Sequence, residues 1–356
     1  MRAILFLTLA LGQAVAPQAP FDPSRWTLPD GEARAMEYLG RPSLFLGDGV
    51  ALLRDASFGD GTIEFDVALH GHAAFAGVAF RATSGEDYEL IYLRTHRSRQ
   101  WDALQYTPIF GGAEAWQLYS GRGYTSAAEL PLNRWVHLKL VVAGYSARLY
   151  VDNATEPQLL VTDLKRPWAR GQIGVWGRLG GAHFSNVVFT AADSSAPVRA
   201  TPGAPAPGVL LDWELSPATD TSRAAPDALP PASVQWTAVR AEDSGLLNIS
   251  QYRRSVRAPT GSRSRDLVLA RHVFQESRAS RARLVFAYSD AVHVFLNGTP
   301  LFAGESAFRS RDPGFLGIAS LGPDTLYLDL KAGRNELVFA VTETFGGWGL
   351  AARLER

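Results

Sequence analysis

A chain of 356 residues exceeds one average domain, and 46% hydrophobic with 11% aromatic residues can fill two separate cores. Lys plus Arg equals Asp plus Glu at 35 each, so no net field draws the protein to nucleic acid or to an anionic membrane. Cysteine is absent, which excludes disulfides, thiolate nucleophiles and zinc–thiolate sites and leaves stability to packing.

In chain order, Met1-Arg2, the apolar run over 3–11 and the small residues of 12–19 follow the pattern of a secretory signal peptide. The run is too short to span a bilayer, and no later segment is long and apolar enough to do so. Cleavage is expected after Ala14 and no later than about Ala19. Residues 1–14 are therefore read as a leader, and the mature protein as secreted or periplasmic. Lys occurs only at 139, 165 and 331 while Arg is abundant, a bias that suits a GC-rich bacterial genome.

A first unit is expected over 20–192. In Gly61–Leu69, Ile63, Phe65, Val67 and Leu69 alternate with Thr62, Glu64 and Asp66, the period of a half-buried strand. His70 and His72 bracket Gly71 at its end, without a third ligand at metal spacing, and read as a turn. Further strands are predicted at 76–81, 88–95, 135–142, 147–152, 172–176 and 183–190, and 135–152 reads as a hairpin turning at Gly144-Tyr145. Antiparallel strands without helices need a second sheet over their apolar face.

The strand over 88–96 is unusual. One face carries Tyr88, Leu90, Tyr92, Arg94 and His96, and just beyond lie Trp101, Asp102, Gln105, Tyr106 and Trp116. Aromatic rings against C–H faces and planar polar groups at hydroxyls are what a sugar needs. Tyr88, Tyr92, Arg94, His96, Asp102, Gln105, Tyr106 and Trp116 are therefore candidate ligand-binding residues, with Arg81 joining if its strand is a neighbour. The bland alternative is that the rings fill a core while the arginines solvate a loop.

Residues 193–208 lie in the stretch AADSSAPVRATPGAPAPG, too poor in apolar groups and too rich in Pro to fold, and form a Pro/Ala-rich linker. A second unit follows over 209–356. Leu284, Phe286 and Tyr288 alternate, then Val292, Val294 and Leu296 lead into Asn297-Gly298, a strong hairpin signal. Strands at Leu326, Leu328, Leu330 and at Leu337, Phe339, Val341 complete it. Weaker binding candidates are Arg309, Arg311 and Asp312 in one loop, and Trp348 between glycines that would let a ligand or another backbone approach the indole. The fold class is all-β, two antiparallel β-sandwich (jelly-roll) domains. The chain has no G-x-S-x-G, H-E-x-x-H, Walker or EF-hand motif.

The hairpin WVHLKLVVAGYSARLYVDN, with GQIGVWG and AHFSN, resembles concanavalin A-like, laminin G-type jelly rolls over most of residues 40–190. It is also similar to the domain of bacterial 3-keto-disaccharide hydrolase-like proteins. VHVFLNGTPLF, LYLDLKAGRNELVFAV and the closing Gly346-Gly347-Trp348-Gly349-Leu350 resemble galactose-binding-like jelly rolls over about 265–353. The first resemblance brings in glucanases with the strand motif E-x-D-x-x-E. Glu64 and Asp66 match its first two positions as weak catalytic candidates, but Leu69 stands at the third, and retaining hydrolysis needs the missing carboxyl. Jelly rolls of both kinds often bind calcium through loop carboxylates and carbonyls, so calcium is the cofactor these resemblances allow, with no ligand set assignable.

Together these readings point to an exported, non-catalytic protein that binds carbohydrate or a glycan-bearing partner. One alternative is a glycoside or keto-disaccharide hydrolase acting in the first unit. Another is an adhesion or structural module with a protein partner, which would display a flat apolar patch.

Overall fold

The computed structural model describes residues 22–356 except 72, 194, 198, 200–203, 230, 232, 257–263 and 323. The expected leader and its cleavage site, His72 and part of the linker lie outside the described residues. No described helix is long and apolar enough to cross a membrane.

The chain is all-β and antiparallel. Two seven-stranded sheets form the first sandwich. The site sheet runs, edge to edge, Trp26–Thr27, Gly49–Leu53, Gln172–Arg178, Phe75–Ser84, Asp87–Arg94, Leu104–Ile109, Thr125–Ser126. The back sheet runs Leu159–Val161, Ser146–Val151, Trp135–Ala143, Gly61–Leu69, Ala182–Ala191, Arg41–Leu46, Ala33–Tyr38. Between them lies one core in which Ile63, Phe65 and Val67 of the back sheet meet Val78, Phe80, Ile91 and Leu93 of the site sheet. The predicted hairpin forms, with Leu138 opposite Val151 and Leu140 opposite Leu149. Burying each such side chain contributes about 1.5–3 kcal/mol, which is why strict alternation fixes which face turns inward.

The second sandwich pairs a long sheet with a short one. The long sheet is ordered Thr237–Arg240, Asp212–Leu215, Asp266–Glu276, Gly333–Glu343, Ala291–Leu296, Thr299–Glu305, with Thr219–Asp220 beside Asp266–Glu276. The short sheet is Leu246–Asn248, Gly349–Glu355, Ser280–Ser289, Asp324–Leu330. The Asn297-Gly298 hairpin forms as predicted, both residues taking the positive φ that a tight turn between twisted strands demands.

The loop 110–124 of the first sandwich reaches into the second. Gln117 is fully buried there. Its Nε2 donates to the Leu316 carbonyl at 3.0 Å, its Oε1 accepts from Ser289 Oγ at 3.3 Å, its N–H donates to the Gly346 carbonyl at 2.9 Å, and its carbonyl accepts from Ala319 N at 2.9 Å. A Cβ at Gly346 would stand 2.3 Å from Gln117 Oε1, so only glycine lets the loop seat. Described linker residues also pack down: Arg199 stacks 4.0 Å above the Tyr145 ring and donates to Asp163 at 2.8 Å.

Candidate functional site

The face of the site sheet turned away from the sandwich core is set by register. In one row across three strands, Arg178 is opposite Phe75 and Phe75 is opposite Arg94. In the next, Trp176 is opposite Gly77, Gly77 opposite Tyr92, and Tyr92 opposite Gln105. Gly77 has no side chain to separate its neighbours, and a Cβ there would lie 2.7 Å from Tyr92 Cβ. The Tyr92 and Trp176 rings therefore close over it, with centroids 5.3 Å apart.

Arg94 organises the centre of this face. It donates to Asp102 at 3.1 Å, to the Tyr92 hydroxyl at 2.9 Å and to Gln105 at 3.1 Å, while its guanidinium sits 5.1 Å from the Trp116 ring centre. Asp102, 1% exposed, also accepts from Arg97 at 2.7 Å. Burial pushes the Tyr92 phenol up to about 12, so its oxygen stays protonated and accepts from Arg94. Burial, then Arg94 and Arg97, hold the His96 imidazole below its ordinary value. Burial raises the Glu114 carboxyl despite the Arg178 guanidinium that contacts it.

This face forms one wall of a cavity of about 580 Å³ between the two sandwiches. Tyr92, Arg94, His96, Asp102 and Trp116 line it together with Phe75, Glu114, Trp176 and Arg178. The opposite wall comes from the second sandwich, with Phe308, Arg309, Pro313, Leu316 and Phe345. Three rings meet at the junction: Trp116 lies 6.1 Å from Phe308 and 6.5 Å from Phe345, which are themselves 6.0 Å apart.

Other predicted residues take structural places. Tyr106 is on the core side of its strand, because Leu104–Ile109 is itself a strand in which Gln105 and Tyr106 must face opposite ways. The Tyr106 hydroxyl donates to the buried Glu89 at 2.7 Å. Gln105 is fully buried behind Arg94, donating to the carbonyls of Tyr106 and Tyr119. Tyr88 shares the face of Tyr92 but lies outside the cavity lining, in a packed cluster with Leu52, Ile109 and Trp176. Arg81 is 2% exposed and ties Gly59, Asp60 and Gly144 together, so it does not join the cavity.

In the second sandwich, Arg311 pairs with Asp324 at 3.7 Å and stacks on Phe315, while Asp312 caps the turn at Gly314. Trp348 is 2% exposed, and its N–H donates to the Val341 carbonyl at 3.2 Å. The glycines beside it admit Gln117 and Leu118 of the loop 110–124, so the indole is a core ring rather than a sugar platform. Glu64 and Asp66 lie on the outer face of the back sheet, across the core from the cavity. Asp66 accepts from Arg41, Asn186 and His137, and His137 also meets Glu64 at 3.2 Å. Both carboxylates are thus engaged in a surface network. Among the described residues, no group of three or more His, Cys, Asp or Glu side chains is placed to hold a metal ion.

Phe75, Glu114, Trp176, Arg178 and the Phe308 and Phe345 rings are cavity residues that sequence reading did not single out. Trp176 and Arg178 were readable from the alternation of Gln172–Arg178, in which Ile173 and Val175 face the core.

A larger cavity of about 810 Å³, also between the sandwiches, is a different kind of place. Lys165 donates to Asp163 and Glu242 at 2.6 Å each and lies 5.1 Å from the Tyr119 ring centre. Tyr119 donates to the other Glu242 oxygen at 2.5 Å, Arg199 pairs with Asp163, and Arg240 with Asp243. Three cations meet three carboxylates, leaving no charge without an opposite partner in its lining.

No family model matches the chain, and no curated protein matches it. Solved structures match about half of it. The carbohydrate-binding module CBM66 from Bacillus subtilis is 18% identical over 47% of this chain and 96% of its own, with a TM-score of 0.38. The Bacillus licheniformis β-glucanase is 14% identical over 49% of this chain and 96% of its own, with a TM-score of 0.34. The Caenorhabditis elegans galectin LEC-6 is 10% identical over 47% and 99%, with a TM-score of 0.28. Likeness at these identities concerns the β-sandwich alone and assigns neither ligand nor reaction.

Proposed function

We propose that this chain is an exported, non-catalytic protein that binds carbohydrate in the cavity between its sandwiches. The observation that carries this reading is the convergence of aromatic rings and charged planar groups from both sandwiches on one opening of about 580 Å³. Rings such as Phe345, 41% exposed, offer faces to sugar C–H groups, while His96 and the guanidinium edges offer hydrogen bonds to hydroxyls.

Hydrolysis of a glycosidic bond needs two carboxyls flanking it, one of them able to give a proton. Of the two in the cavity, Asp102 has both oxygens committed to arginines, and Glu114 contacts Arg178. Burial raises Glu114 as an acid would require, but the second carboxylate of the lining, Asp102, is paired through both oxygens, which supports binding over hydrolysis.

The test is a glycan-array and calorimetric binding assay on the full chain, with Tyr92→Ala/Arg94→Ala and Phe345→Ala variants whose fold is checked by circular dichroism. Specific binding that both variants lose is the expected result. Release of reducing ends during incubation would replace this reading with hydrolysis. Failure to bind any glycan would overturn it. Export is tested separately by sequencing the N-terminus of the secreted protein, expected to begin near residue 15.

A further inference from the structure

The charge around the cavity is uneven. Four guanidiniums, Arg94, Arg97, Arg178 and Arg309, line it against two carboxylates, Asp102 and Glu114. Three of the four are spoken for: Arg94 and Arg97 share Asp102, and Arg178 holds Glu114. Arg309 has no carboxylate partner among the described residues. Its guanidinium lies 4.8 Å from the Phe308 ring centre, exposed at the cavity wall that the second sandwich supplies. The backbone there is fixed, with Arg309 at φ 61° and its N–H donating to the Phe315 carbonyl at 2.8 Å.

A surplus of two positive charges in a partly enclosed, ring-lined opening attracts an anion more strongly than the same charges on open surface, because low-dielectric walls screen it less. The planar fork of a guanidinium matches the two oxygens of a carboxylate or two of a sulfate ester. Rings alone would take a neutral sugar, and scattered arginines alone would take any anion. This cavity has both on facing walls.

We infer that the cavity selects an acidic sugar, one carrying a carboxylate or a sulfate ester, with Arg309 as the specificity-determining residue and the rings holding the sugar body. This inference rests on the carbohydrate reading above and narrows it.

The experiment is calorimetric titration of the full chain with three oligosaccharide probes of equal length: a uronate, its carboxyl-reduced neutral counterpart, and a sulfated form, with inorganic sulfate as competitor. At least one acidic probe is expected to bind about tenfold or more tightly than the neutral one, weakening as salt rises. Whichever acidic probe binds identifies the anionic group. Arg309→Ala is expected to lose about tenfold for that probe and less for the neutral one, and Arg309→Glu to reverse the preference. Arg309 is exposed, so these variants do not burden the fold; circular dichroism verifies this. Neutral and acidic probes binding equally would overturn the acidic-sugar inference while the carbohydrate reading stands. Inorganic sulfate displacing the acidic probe as well as the free oligosaccharide does would reduce the cavity to a simple anion site and overturn the inference. Binding of no probe would overturn the acidic-sugar inference and leave the carbohydrate reading to the glycan array.

Discussion

The two cavities between the sandwiches are built by the same loop, 110–124, yet they differ in what they leave unfinished. Around Lys165 every cation meets a carboxylate, and Tyr119 closes the ring of contacts onto Glu242. Around Arg94 the carboxylates are used up before the guanidiniums are, and the rings of Phe308 and Phe345 face the opening. The first, though larger, has its lining charges paired, and the Lys165–Glu242 pair joins the two sandwiches. The second, smaller one retains donors and apolar faces for something else. Charge closure, not volume, is what distinguishes them.

Asp102→Ala attacks this contrast most directly. It leaves Arg94, 7% exposed, without its carboxylate, and a broken buried ion pair costs about 3–5 kcal/mol. Denaturant unfolding should show that loss together with abolished glycan binding. Glu242→Ala, at the closed contact, should lower stability while sparing binding. If Glu242→Ala removed binding and Asp102→Ala did not, the assignment of roles to the two cavities would be reversed.

The next largest effect concerns the shared loop. Gln117→Ala removes the side-chain partner of the half-buried Leu316 carbonyl and one of the two bonds of the buried Ser289 hydroxyl, at about 1–3 kcal/mol for a group left unsatisfied. Calorimetry should split into two thermal transitions as the sandwiches uncouple, and binding should weaken because the cavity needs both walls. A single transition at unchanged temperature would show that the loop does not hold the halves together.

Smaller still is a pH effect confined to the closed contact. Burial alone would lower the Lys165 ammonium, but Glu242, Tyr124 and Asp163 outweigh it and raise its pKa above the ordinary 10.5. The folded lysine therefore keeps its proton after the unfolded one has lost it. The stability so gained is complete below about pH 10.5 and disappears as pH rises through the folded value. Unfolding midpoints measured upward from pH 9 should fall in the native protein and fall less in Lys165→Met. Equal slopes would show that the contact contributes no such linkage.

The smallest effect is expected at Glu64, whose half-exposed carboxylate meets His137 on the far face of the first sandwich. Glu64→Gln should change stability by less than about 1 kcal/mol and leave binding untouched. Lost binding would place the site on the back sheet instead.

How far the chain could be read depends on which link is local. The alternation in Gly61–Leu69, the hairpin through Gly144 and the Asn297-Gly298 turn are each written within a few residues, because strand period and turn φ are local properties. The polar and aromatic face of Asp87–Arg94 was readable for the same reason. Tyr106 turns into the core because 104–109 is itself a strand, whose period of two keeps Gln105 on the face of Arg94.

Trp348 went the other way for a tertiary reason. Its flanking glycines do mark a close approach, but what approaches is the loop 110–124, more than two hundred residues earlier in the chain.

By itself, then, the sequence determined an all-β chain in two sandwiches and which face of most strands carries apolar side chains. Those depend on neighbours along the chain and on the free energy of burying every second residue. Only the tertiary structure decided that Gly77 brings Tyr92 and Trp176 together, that Arg178, Phe75 and Arg94 share one row, and that Phe308, Arg309 and Phe345 face them across a cavity. Register and docking join residues far apart in sequence through contacts whose energies depend on geometry, and no local pattern encodes that geometry.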